Sequence, residues 1–587
     1  MRVLGLSFSG HGTSICLVED GRIVRALNLE RITRKKFSLT TLPSYTDFLR
    51  NITCKLYRGE PQQYFNFYEV FPQMLDYVCG TSRPQEAALD LVIKTRDNIA
   101  PIPEFGRGPM WEDYSRFLDY FSGIPIVFDV EHHLAHAYQA YLCSPFEDAA
   151  LLTVDGSGES LPRLGGDSVS TSFAYGTKRR VRTFREIRFP HSIGGLYSSV
   201  TRHLGFKENQ EGNTMALAPF GTNRFYKRVR DLFFLESGGG YRFQFGAQNK
   251  TLKILDVIEE WVPSRVPGDS ISQAHKDIAY AVQRITEEIL VNAARGLHVE
   301  IKHRQLAIAG GVGLNCVANA RILSETDFRE IYTMPNAGDR GLAAGCALYG
   351  CHVVFDGDKR HPPRNDYLGR LYSEEDIRHA IDAHSGVSCH RSQQIATEVA
   401  ELIANGAIVG WFQGAAEYGP RALGHRSILA DPRTDTSKQR LDNEIKRREW
   451  FRPYAPSILR EKVSQWFSGA AESPYMLLAF QVRRSARKRI PGVIHVDGSA
   501  RVHTVDSTVE PLFHKLIKNF ESRTGVPLVL NTSFNSNGAP IVETPEDALK
   551  ALNEMKLDAL AIGPYLVWRD LTFKGETEEA LEETAFS

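Results

Sequence analysis

No C-x-x-C pair occurs among the eight cysteines of this 587-residue chain, which excludes zinc ribbons and thioredoxin-type redox sites. A few scattered thiols in so long a chain fit a reducing compartment, so a cytoplasmic protein is expected. No apolar run is long enough to span a bilayer, and no membrane partner is expected. The opening Met1-Arg2-Val3-Leu4-Gly5 is too poor in apolar residues for a signal peptide. An excess of charge is missing as well: Lys plus Arg and Asp plus Glu each number 70. Without a basic footprint the whole surface does not suit nucleic acid, although local basic pockets remain open.

What is present is the composition of a globular protein, 42% hydrophobic and 24% charged, in a chain too long for one ordinary core. Val3 to Phe8 reads as a buried strand, followed by the loop Ser9-Gly10-His11-Gly12-Thr13-Ser14. Ile15 to Val18 and Arg22 to Leu27 read as further strands around the turn Asp20-Gly21. The pattern returns at Ala149 to Val154, with the loop Asp155-Gly156-Ser157-Gly158-Glu159 and a returning strand over Ser168 to Tyr175. A third Gly-loop, Gly310-Gly311-Val312-Gly313-Leu314-Asn315, joins an apolar strand to a helix through Leu323. Such loops bring backbone N–H groups to phosphate or ribose; the plain alternative is a tight strand–helix turn. The helix expected over Gln273 to Leu297 has core spacing and no chemistry of its own. Residues 353–370, with Pro362-Pro363 and many charges, mark a linker between domains at 1–352 and 371–570, and 571–587 reads as a loose acidic tail. In the second domain, Asp376 to Ser385 and Ala396 to Asn405 read as helices and Ala407 to Trp411 as a strand.

His132 and His136 lie four apart in a helical run from His132 through Leu142, so their imidazoles share a face and can hold one cation. The alternative is two partly buried histidines satisfied by hydrogen bonds. A zinc protease needs Glu directly after the first His, and that place is His133. Past residue 400, three segments set polar groups or cations among Gly, Pro and aromatics: Gly419 to Ser427, Lys446 to Pro456 and Leu530 to Asn535. Such cations are held in place and could bind phosphate or carboxylate in two-pronged fashion. Surface charges and structural ion pairs are the alternative, and Arg483 to Arg489 read as a solvated face.

These motifs, in this order and over nearly the whole chain, resemble the NodU/CmcH-type O-carbamoyltransferase family, whose members carbamoylate Nod factors, cephalosporins, aminoglycosides, ansamycins and saxitoxin-type alkaloids. The resemblance implies an α/β protein: a two-lobed actin-like (ASKHA) N-terminal domain with a metal site, then a YrdC-like α/β C-terminal domain. It implies ATP, with Mg2+, and carbamoyl phosphate as co-substrates, carbamoyl adenylate as the intermediate, and a small-molecule alcohol as acceptor. A guanidinium alkaloid, an aminoglycoside and a macrolactam all stay open as acceptors, with overall resemblance favouring the first, and a homodimer is the candidate assembly. By resemblance, His132, His136, Asp155 and Asp339 match the ligands of Fe2+ or another divalent metal. Lys446, Arg452, Arg501 and Ser533, with Arg421 and Asn531, match the carbamoyl-phosphate pocket. Gly311 and Asn315 match the nucleotide site, and His11 and Lys36 match positions near the transfer site, with His11 a candidate general base. One departure is Gly212-Asn213-Thr214-Met215-Ala216, where relatives carry Lys at the place of Asn213 and Gly at that of Ala216. A small-molecule kinase of the actin-like superfamily would leave residues 371–570 unused, and a tRNA-modifying carbamoyl transferase would need a basic surface. A binding module would need neither the metal ligands nor the cation pocket.

Overall fold

The computed structural model describes residues 1–9, 12–36, 39–41, 64–95, 109–159, 161–244, 246–248, 251–469 and 472–570. His11 and the tail 571–587 lie outside them.

Two five-stranded sheets share one topology. The first runs Arg22–Asn28, Gly12–Glu19, Arg2–Ser9, Leu91–Thr95, Ile126–Val130. The second runs Arg180–Arg188, Val169–Thr177, Ala149–Val154, Gln305–Ala309, Glu330–Thr333. In each, the first three strands are antiparallel and the last two join the central strand in parallel. This repeat is the two-lobed actin-like core. The apolar runs expected as strands at Val3 and Ala149 form them, because their alternate faces are both covered: Val3, Leu4 and Leu6 are wholly buried, as are Ala149, Ala150 and Leu152. The strand expected from Arg22 also forms, at the sheet edge with Arg22 and Val24 exposed.

The second half is an α/β unit on an eight-stranded sheet, ordered Val387–Arg391, Tyr565–Arg569, Ala559–Ile562, Val409–Phe412, Arg426–Ala430, Leu528–Ser533, Ala455–Leu459, His503–Val505. The helices Glu374–Ala383 and Ile395–Ala404 start one or two residues before the positions read from sequence. Ser373 caps the first through a capping box with Asp376, which sets its start. Residues 353–370 are not the free spacer that their prolines and charges suggest. Arg360 donates to the carbonyls of Leu142 (3.3 Å), Tyr141, Ser144 and Phe146 and lies over the Tyr141 ring. A guanidinium there satisfies the orphan carbonyls at the C-terminus of the helix His132–Cys143.

That helix is buried almost throughout. The helix Leu342–Tyr349 is wedged between it and the strand Arg2–Ser9, with Ala343 and Ala347 against Gly5 and Gly345 against Ala135. A Cβ on Gly345 would stand 2.1 Å from the Ala135 carbonyl oxygen, which is backbone and cannot swing aside. Gly345→Val is therefore expected to force the histidine helix outward and lower the midpoint of thermal unfolding by roughly 5 °C or more, the scale of an overpacked core. An unchanged midpoint would show that the two helices separate at little cost.

Candidate active site

Four buried side chains meet where the two lobes face each other. His132 and His136 come from the helix that follows the last strand of the first sheet. Asp155 follows the central strand of the second sheet, and Asp339 follows its last strand. All four thus stand at carboxyl ends of strands, where open α/β sheets place ligands. His132 Nε2 is 3.1 Å from Asp155 Oδ2 and 3.4 Å from Asp339 Oδ1; His136 Nε2 is 3.6 and 3.5 Å from the same oxygens. The four ligand atoms lie within 4.8 Å of one another. Neighbouring donors of a shell at about 2.1 Å lie roughly 3.0–3.4 Å apart, close to these spacings.

The supporting contacts fix each ligand. Glu159 accepts from the His132 backbone N–H at 3.1 and 3.2 Å, placing a carboxylate at the helix N-terminus. The Gly311 N–H donates to Asp155 Oδ1 at 3.0 Å, leaving Oδ2 toward the imidazoles. Gly310, at φ 87°, makes this approach possible: a Cβ there would lie 2.1 Å from the Val154 carbonyl oxygen. Gly311, expected at the nucleotide site, thus spends its N–H on a carboxylate.

Electrostatics favour a cation among these groups. Burial pushes the His132 imidazole down, but Asp339 and Asp155 outweigh it and hold it well above the usual range. His136 is raised against burial by the same two carboxylates. Burial opposes ionisation of Asp155, yet the imidazoles hold it well below the carboxylate range, and Asp339 is held at about 2 in the same way. Two protons on imidazoles therefore balance two carboxylates, and one divalent ion would replace them charge for charge. Among the described residues, neither ring nitrogen of buried His136 has a hydrogen-bond partner. This donor set fits a borderline metal such as iron. His133, adjacent in sequence, turns toward Ser172 and is pushed down to about 3 by burial and then by the two neighbouring imidazoles.

A second cluster adjoins the first. Lys36, Arg340, Arg421, Arg452 and Arg501 lie close enough to repel one another. Burial and then Arg501 push Arg421 down to about 9, still a cation at neutral pH. Among the described residues, Nε of Arg421 and Nε of Arg501 are buried without a hydrogen-bond partner. Lys36 is solvent-exposed, yet the surrounding protein lowers it despite the nearby Glu30 carboxylate, with Arg452 and Arg340 adding to the depression. Convergent cations with unspent donors are what a phosphate site requires.

The other expected pocket residues face inward. Lys446 Nζ donates to the Ser533 carbonyl, to the Asn535 carbonyl at 2.7 Å and to Asn535 Oδ1 at 3.0 Å, and burial holds it well below its usual range. Ser533 Oγ donates to Asn535 Oδ1 at 2.5 Å. Asn531 donates to the Ala422 carbonyl at 3.1 Å, tying down the loop that carries Arg421. Asn315 caps the helix Cys316–Glu325 and exchanges amide hydrogen bonds of 3.0 and 3.2 Å with Gln283. Gln283 belongs to the long helix Gln273–Ile301, which therefore does more than fill the core.

Sequence reasoning missed Arg340 and Glu417. Arg340 directly follows Asp339, a proposed metal ligand. Glu417 is buried, and its Oε1 accepts from the N–H groups of Leu423 (2.7 Å), His425 (2.9 Å) and Arg426 (3.1 Å), so the Arg421 loop folds around one carboxylate oxygen. It lies two residues before the Gly419 motif, and nothing in its spacing announces it.

The comparisons with known proteins identify the family. A family model described as the carbamoyltransferase N-terminus matches residues 121–348, and one for the carbamoyltransferase C-terminus matches 400–569. The nodulation protein NolNO of Sinorhizobium fredii is 34% identical over 571 residues, covering 95% of this chain and 79% of its own length. The 3'-hydroxymethylcephem-O-carbamoyltransferase of Amycolatopsis lactamdurans is 35% identical over 458 residues, covering 74% of this chain and 79% of its own. An uncharacterized protein of Synechocystis sp. is 32% identical over 626 aligned positions, covering 99% of each chain.

Metal-free protein is expected to bind one divalent ion per chain and to release protons as it does so. Affinity should rise with pH above the ordinary histidine range, because His132 and His136 hold their protons there and a protonated imidazole cannot ligate. Calorimetry in buffers of different ionisation enthalpy measures the release. His136→Ala should abolish stoichiometric binding, and a variant that still binds one ion would remove His136 from the ligand set.

Proposed function

Because the chain belongs to the carbamoyltransferase family and is an enzyme that transfers carbamoyl groups, we propose that it carbamoylates a hydroxyl of a small molecule through carbamoyl adenylate made from carbamoyl phosphate and ATP. The observation that carries this reading is the set of five cations beside a divalent-metal ligand group. Two highly anionic co-substrates need such a set, and an alcohol acceptor does not.

Carbamoyl nitrogen donates into its own carbonyl, so carbamate is a poor electrophile. Water first cleaves carbamoyl phosphate to carbamate and phosphate. A carbamate oxygen then bonds to the α-phosphorus of ATP as Mg2+-bound pyrophosphate leaves. Arg421, Arg452 and Arg501 bind the phosphoryl oxygens, with Lys446, Ser533 and Asn531 fixing the loops around them. The acceptor oxygen next attacks the carbamoyl carbon, the bond from that carbon to the phosphate oxygen breaks, and AMP leaves. Lys36 and Arg340 face the departing phosphate. His11, outside the described residues, is the proposed acceptor of the hydroxyl proton. His132, His136, Asp155 and Asp339 would hold a divalent ion such as Fe2+, which supplies Lewis-acid charge for the negative oxygens that form.

One relative is named for carbamoylating a 3'-hydroxymethylcephem, and the acceptor we favour for this chain is a guanidinium alkaloid alcohol. Residues 1–352 would carry transfer and 371–570 adenylate formation. Arg501→Ala is expected to lower formation of the adenylate, read as pyrophosphate release, by roughly 100-fold or more, the scale of a lost charge-stabilising donor. His136→Ala should keep that step and lose transfer, read by mass spectrometry of acceptor alcohols. Equal loss of both steps in both variants would overturn the division of labour.

A further inference from the structure

Arg452 differs from Arg421 and Arg501 in having a carboxylate beside it. Its Nη1 donates to Glu449 Oε2 at 3.3 Å. The other oxygen of that carboxylate, Oε1, accepts from Asn213 Nδ2 at 3.1 Å. Asn213 is buried in the helix Glu211–Leu217 of the N-terminal half, so it is a fixed post, while Glu449 and Arg452 are about one-third exposed. Two properties follow from residue type. Asn213 is neutral, so it orients the carboxylate without cancelling its charge. The amide donates to one oxygen only, which leaves the second turned to Arg452.

Resting on the reading of Arg452 as an anion-binding cation, we infer that Glu449, oriented by Asn213, sets how much of the Arg452 charge reaches the bound phosphate. Glu449 is a positioning residue in this scheme: it touches neither substrate nor metal and acts through Arg452. The carboxylate weakens anion binding, and a cation in place of Asn213 would draw the carboxylate away and release Arg452. The chain thus trades phosphate affinity for a fixed guanidinium, and turnover limited by phosphate release would gain from that trade. Because the pair is partly exposed, solvent screens it and the effect is modest.

The test uses the full chain with inorganic phosphate in calorimetry and carbamoyl phosphate in steady-state kinetics. Glu449→Gln, isosteric and uncharged, is expected to tighten phosphate and lower the KM for carbamoyl phosphate about two- to five-fold, the upper range for one partly exposed pair. Asn213→Lys should act in the same direction, and in the Glu449→Gln background it should add nothing, since the group it acts through has lost its charge. Asn213→Ala removes the hydrogen bond without adding charge and should not tighten binding; if it matches Asn213→Lys, the link is only structural and the inference falls. Should the buried lysine unfold the protein, Glu449→Gln alone decides: unchanged or weaker phosphate binding overturns the inference. An Arg452→Ala variant that binds phosphate like wild type overturns the underlying reading of the cleft, and this inference with it.

Discussion

Cations that repel one another can share a cleft only if something other than their own charge fixes them. Here the backbone does so. The loop bearing Arg421 wraps one oxygen of buried Glu417, and Asn531 ties its Ala422 carbonyl. Arg31, buried behind the cleft, donates to the carbonyls of Glu417 (3.0 Å), Gly419 (3.4 Å), Ile541 (3.3 Å) and Val542 (3.4 Å). One guanidinium therefore holds the Arg421 loop and the segment after Ser533 from the N-terminal side, five residues before Lys36. Lys446 fixes Ser533 and Asn535 from the other side. These anchors hold the cations against their mutual repulsion.

The histidine–aspartate group follows the opposite rule, with attraction inside a buried cluster. Charge pairs of this kind are costly to bury and rigid only when each remaining lone pair is used. Gly311 takes the spare oxygen of Asp155, and Glu159 and Arg360 cap the two ends of the histidine helix. Among the described residues, both ring nitrogens of His136 remain without a hydrogen-bond partner. The helix can carry two imidazoles into the interior because its far side is lined by Gly and Ala of the neighbouring helix, which lets backbone meet backbone.

Much of this was legible in the sequence. The duplicated strand–loop–strand pattern shows the two lobes because strands buried on both faces must be apolar runs. The His132/His136 spacing shows the shared face because helix geometry is local. Asp155 and Asp339 were reached only through family resemblance, since carboxylates contributed from distant strands leave no local trace. Glu417 and Arg31 were not seen at all: each works by accepting from or donating to backbone, which no side-chain pattern encodes. Asn315 and Lys446 were legible as special residues, while their partners, Gln283 and Asn535, show that part of what marks them is structural. The segment 353–370 looked like a spacer by composition, and the use of Arg360 as a helix clamp depends on where the chain passes in space.

The two centres are not independent. Asp339 faces the imidazoles and Arg340, the next residue, pairs with Glu30 at 2.8 Å on the side of the cation cleft. The short segment between them is braced from both halves of the chain. Tyr418 Oη donates to the Arg340 carbonyl at 2.7 Å, Asn336 Nδ2 donates to the same carbonyl at 2.9 Å, and Asn28 donates to the Tyr418 carbonyl at 2.9 Å. Tyr418 is adjacent to Gly419, where a Cβ would press on Pro335, so the Arg421 loop lies directly on this segment. The Arg421 loop thus packs on the segment that carries Arg340, and Arg340 is joined to Asp339 by one peptide bond, so the cation cleft and the histidine–aspartate group are built on one braced stretch of backbone.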